Sequence, residues 1–145
     1  MKFQNCLFLI LLIVCLSCQS KKTDKQTGID STLFYTNPVI GGGSEPWAIF
    51  HEGKYYYTQS LADCIILWET DDITQLAEAA KKNVYSPQNA SGISHLWGPE
   101  IHYMDNKWYI YCAADDGNID NRQIYVLENE SPDPMKGEFV MKGRI

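Results

Sequence analysis

From Trp47 onward, apolar and polar positions alternate in short runs that turn residues interrupt. "WAIF" and "YYYTQS" flank "HEGK", whose Gly53 supplies the positive φ of a tight hairpin. Further along, "EIHYM" and "KWYIYCAA" flank an Asp-Asn turn. Laying one hairpin on the other exposes a repeat: Pro46 matches Pro99, Glu52 matches Asp105, Lys54 matches Lys107, Tyr55 matches Trp108 and Tyr56 matches Tyr109, always 53 residues apart. "CIILWET" (64–70) predicts a third strand and "RQIYVLEN" (122–129) its counterpart, with Val126 matching Leu67. That offset is 59, so the second copy has a connection six residues longer. "NVYSP" and "EFVMKG" supply the fourth strands. Four short strands in roughly fifty residues is the size of one β-propeller blade.

One segment breaks the pattern. "DDITQLAEAAKKN" places Ile73, Leu76, Ala77 and Ala80 at i, i+3, i+4 and i+7, after acidic residues and before two lysines and Asn83. This predicts one short helix between the third and fourth strands, covering the outer edge of the first blade. The expected fold is therefore all-β, a β-propeller of about two blades with one short helix. Two blades do not close a ring and leave strand edges unpaired. The 145 residues are thus expected to be the N-terminal piece of a longer protein, as a fragment or through truncation of the gene.

Charge and leader sequence place this unit. The net charge of −6 argues against nucleic acid, which favours a basic stripe. At the N-terminus, Lys2 precedes an apolar run from Cys6 to Leu16, shorter than the roughly 20 residues of a membrane span. Residues 1–17 read as a signal peptide. Leu16-Ser17-Cys18 resembles a bacterial lipobox, with Cys15 at the usual Leu position, which makes Cys18 the lipidation site. Residues 18–36 read as the lipidated Cys and a flexible tether, and 37–145 as the partial propeller. The chain is then an exported lipoprotein on the periplasmic side of the outer membrane or on the cell surface, touching the membrane through its lipid alone. Cys64 and Cys112 remain in the domain, too few for a disulfide framework or a zinc site; a single bridge between them is left open.

The chemistry gathers at the starts of the first strands. Glu45 stands just before the shared proline of blade one, and Glu100 just after that of blade two. First strands line a propeller's axis, so the two carboxylates are expected in one axial pocket. Gly41 to Gly43 allow close backbone approach there. Trp47 and Trp97 offer faces for a sugar ring, and His102, two residues after Glu100 on the same strand face, lines the pocket. Paired carboxylates suit glycosidic cleavage, one protonating the leaving oxygen and another activating water. "DDGNID" suggests a calcium loop, but Asn121 and Leu127 stand where an EF-hand needs Gly and Glu. It reads as a turn-rich connection. The histidines lack metal-ligand spacing and no phosphate motif occurs, so no metal or cofactor is expected.

"NPVIGGGSEPWAIFHEGKYYYT" and "LWGPEIHYMDNKWYIYCAADDG" resemble the opening blades of glycoside hydrolase family 43 enzymes. The resemblance runs from about Asn37 to the end of the chain. It implies a five-bladed propeller, an inverting mechanism, and arabinose- or xylose-containing plant polysaccharides or oligosaccharides as substrates. Glu45 takes the position of the general base and Glu100 that of the carboxylate that tunes the general acid. That base is usually Asp, one methylene shorter, and Gly98 replaces the usual Ala. The family's general acid, a Glu in a later blade, has no match in this chain. The alternative reading is a carbohydrate-binding propeller without catalysis.

Overall fold

A computed structural model describes residues 35–61, 63–87 and 92–145. The signal peptide, Cys18 and most of the tether fall outside the described residues. The rest forms two four-stranded antiparallel meanders. The first comprises β1 (Ser44–His51), β2 (Lys54–Ser60), β3 (Ile65–Thr70) and β4 (Ala80–Tyr85), paired in that order. The second comprises β5 (His95–Met104), β6 (Lys107–Asp115), β7 (Gln123–Asn129) and β8 (Val140–Arg144). Each sheet is one blade. Both first hairpins close through two residues of positive φ, Glu52 and Gly53 in blade one and Asp105 and Asn106 in blade two. Such turns match the right-handed twist of the flanking strands.

The repeat extends to an irregularity that periodicity does not reveal. In β1 the register jumps between Ser44 and Trp47, and in β5 between Trp97 and Glu100. Each is a β-bulge, with Glu45-Pro46 opposing Gln59 and Gly98-Pro99 opposing Cys112. The leading residue is left-handed in both, at φ 55 for Glu45 and φ 51 for Gly98. Proline is tolerated at such bulges because its missing N–H is not needed by the ladder. This accounts for the shared Pro46 and Pro99.

The blades pack face to face. Tyr56, Ile65, Leu67 and Val84 of blade one meet Ile101, Trp108, Ile110, Cys112 and Leu127 of blade two in one buried core. Trp108 is fully buried, with its ring against His51, Tyr56 and Tyr103. Hydrogen bonds lock the seam: Thr58 Oγ1 donates to the Pro99 carbonyl at 2.6 Å, Trp47 Nε1 to the Ile101 carbonyl at 3.1 Å, and Lys82 Nζ to the Gly137 carbonyl at 2.6 Å.

The expected helix over 71–83 is corrected. Ile73–Glu78 is a 3-10 segment, started by the Asp72 side chain accepting from the Thr74 N–H. Ala80 to Asn83 belong to β4, where Ala80 pairs with Glu69 and Lys82 with Leu67. The stretch is short for a stable α-helix, and strand pairing on the open edge of β3 outweighs its helical pattern. Leu76 still covers blade one, buried against Tyr57 and Trp68.

Candidate active site

The β1 bulge turns Glu45 toward blade two. Glu45 Oε2 accepts the Gly98 N–H at 2.5 Å and lies 3.5 Å from Ser60 Oγ. The carboxylate from one bulge thus caps the backbone of its repeat partner, 53 residues later. Of the three glycines before it, Gly43 bears the steric load: at φ 132, a Cβ there would collide with the Gln59 side chain. Gln59 is itself buried and accepts from the Tyr57 hydroxyl at 3.0 Å. Glycine at 43 is therefore what lets the chain cross Gln59 and enter the bulge.

Glu45 and Glu100 line one cavity of about 300 Å³, together with Trp97, Gly98, Tyr111, Arg122 and Ile124. Glu45, Glu100 and Trp97, three of the expected site residues, thus border the same cavity. Trp47 and His102 are not among the lining residues. Trp47 is engaged at the seam by its bond to Ile101, with its ring 5.4 Å from that of His102. His102 lies next to two lining residues, its Nε2 3.6 Å from Glu100 Oε2 and its ring 5.8 Å from Tyr111. A larger cavity of about 450 Å³, between Lys82–Ser86 and Lys136–Phe139, contains no pair of carboxylates.

Sequence reasoning missed Asp115 and Arg122. Asp115 ends β6 with its side chain almost fully enclosed. Oδ1 accepts the Gly117 N–H at 3.0 Å and lies 2.9 Å from His95 Nδ1. Oδ2 accepts from Trp97 Nε1 at 3.1 Å and from Arg122 Nε and Nη2 at 3.3 and 3.2 Å. Burial alone would raise this carboxyl's pKa, but the donors from Gly117, His95, Arg122 and Trp97 outweigh it and hold the pKa at about 2. The available signal was an aspartate closing the apolar run "YIYCAAD", followed by an acidic loop with a lone arginine at its end. Cys112, which also borders the cavity, is a free thiol that burial pushes up to about 12, so it packs as an apolar group. Cys64 is likewise free.

A pair of propeller blades with two carboxylates and an aromatic ring gathered at the bulges of the first strands has the character of a carbohydrate-active site. Residues 35–145 match the family described as Glycosyl hydrolases family 43, and the chain belongs to it. The chain is 34% identical over 120 residues to an extracellular exo-alpha-(1->5)-L-arabinofuranosidase of Streptomyces avermitilis, and 33% identical over 116 residues to the enzyme of that name from Streptomyces chartreusis. These alignments cover 79% and 77% of the chain but 25% and 35% of the relatives, so it spans about a quarter to a third of their length. The crystal structure of alpha-L-arabinofuranosidase from Lactobacillus brevis superimposes with a TM-score of 0.69 at 31% identity, over 77% of this chain and 38% of that one. The fold is accordingly part of a five-bladed propeller.

Proposed function

We propose that the chain forms the first two blades of an inverting glycoside hydrolase that removes arabinofuranose from arabinose-containing plant polysaccharides. The observation that carries this reading is Glu45, a carboxylate at a left-handed bulge position, held by the Gly98 N–H on a cavity shared with Glu100. Non-glycine residues in such conformations concentrate at functional sites. Glu45 acts as the general base, drawing a proton from the attacking water. Glu100 acts through its charge, raising the pKa of the general acid. That acid is expected from a blade outside these 145 residues. The two arabinofuranosidase relatives favour arabinose over xylose as the sugar released.

Proton NMR of α-1,5-arabinotriose hydrolysis by the protein at its natural length tests the proposal. The first product is expected to be free arabinose of inverted anomeric configuration. Product of retained configuration would refute the inverting mechanism. Binding of arabinotriose without turnover would favour a carbohydrate-binding propeller instead. Export as a Cys18 lipoprotein belongs to the same reading, since both relatives are described as extracellular. Cys18→Ala should abolish labelling by palmitate; equal labelling of parent and variant would remove the anchor.

A further inference from the structure

Blade two carries a device at its longer third-strand connection. Residues 116–121 are tied by their own side chains: Asp116 Oδ1 accepts the Asn118 N–H at 3.0 Å, Asn118 Oδ1 accepts the Asp120 N–H at 3.1 Å, and Asn121 Nδ2 donates to Asp116 Oδ2 at 2.9 Å. The 3-10 turn Ile119–Asn121 then delivers Arg122. Its guanidinium sits over the Trp97 ring, 4.4 Å from the centroid, and is fixed by Asp115, whose side chain is only 2% exposed. Stacking and a buried carboxylate together hold a planar donor in one orientation.

Arg122 lines the same cavity as Glu45 and Glu100. Nε and Nη2 are engaged by Asp115, whereas among the described residues Nη1 has no protein acceptor. Its two N–H groups remain for a ligand. Asp115 already balances the cation, and Glu45 and Glu100 add negative charge to the cavity, which disfavours an anionic sugar. We infer that Arg122 is a substrate-binding residue that orients a neutral pentose through hydroxyl oxygens accepting from Nη1, with Asp115 as its positioning residue. This rests on the reading of the cavity as a sugar site.

Calorimetric binding and steady-state turnover of α-1,5-arabinotriose, by the parent, Arg122→Gln and Arg122→Lys at natural length, test it. Arg122→Gln should weaken binding and raise KM by about 10-fold or more, with a much smaller change in kcat. Arg122→Lys keeps the charge but not the fork, so an intermediate loss is expected. Trigalacturonate should bind the parent more weakly than arabinotriose. Parent-like affinity in folded Arg122→Gln, or tighter binding of trigalacturonate, would overturn the inference. Thermal unfolding checks each fold; if Arg122→Gln does not fold, parent-like affinity in Arg122→Lys overturns it equally. A parent that binds arabinotriose without cleaving it defeats the hydrolase reading alone, and the binding comparison still decides on Arg122. A parent that does not bind arabinotriose defeats both.

Discussion

In blade one the left-handed position of the bulge holds Glu45, and in blade two it holds Gly98. Glycine adopts that backbone freely, whereas a residue with a Cβ loses about 1–2 kcal/mol there. The same strand start therefore serves structure in one blade and tolerates strain for a carboxylate in the other. The seam has a matching asymmetry. Glu45, Trp47, Thr58 and Lys82 of blade one reach across with side chains, and the main chain at Gly98, Ile101, Pro99 and Gly137 of blade two receives them. In blade two the side chains of His95, Trp97 and Arg122 instead converge on Asp115 of the same blade. Repetition thus supplies a frame, and the sites where the copies differ hold the candidate chemistry.

The largest effect should come from cutting the frame itself. Trp108→Ala removes the ring that His51, Tyr56 and Tyr103 surround, and should cost about 3–5 kcal/mol by urea denaturation. Phe50, 62% exposed at the hairpin end of β1, is the control: Phe50→Ala should stay within about 1 kcal/mol of the parent. Similar losses in both would mean that the seam does not hold the blades together. Gly98→Ala sharpens the comparison of the bulges. Nothing lies within 4 Å of the added Cβ, so only the backbone conformation is taxed, by about 1–2 kcal/mol. A neutral Gly98→Ala would remove the claim that Glu45 is strained.

The smallest expected effect is a pH dependence. Asp115 is depressed to about 2 when folded, below the roughly 3.9 of an unfolded aspartate. A depressed carboxyl stabilises the fold above the unfolded value, and that contribution disappears as pH falls from about 4 through about 2. Asp115→Asn should therefore lower the unfolding temperature at neutral pH and flatten its decline across this acidic window. Parallel declines in the parent and Asp115→Asn would show that other carboxylates govern it.

Much of the frame was legible because hairpins write themselves locally. Glu52-Gly53 and Asp105-Asn106 mark tight turns, and the alternation beside them assigns the buried faces. The paired prolines marked the first strands, and so located Glu45 and Glu100 at one cavity. The 3-10 segment was misread because Leu76, Ala77 and Ala80 imitate a helical stripe, while the partner that claims Ala80, Glu69 on β3, is eleven residues away in sequence. Trp47 looked like a sugar platform; only the packed blades reveal its bond to Ile101. The cluster around Asp115 stayed hidden for a similar reason, since His95 and Arg122 meet it only when β5, β6 and the loop from β6 to β7 are folded together.

The role of Glu45 is tested most directly by the kcat/KM of Glu45→Gly on an aryl arabinofuranoside, measured per folded molecule at natural length. Glycine relieves the backbone at φ 55 and removes the carboxylate in one change. The expected result is a stable fold whose kcat/KM is lower by about 10²–10⁴-fold, the weight of a general base. A kcat/KM close to that of the parent, in a protein equally well folded, would contradict the assignment of Glu45 as the base.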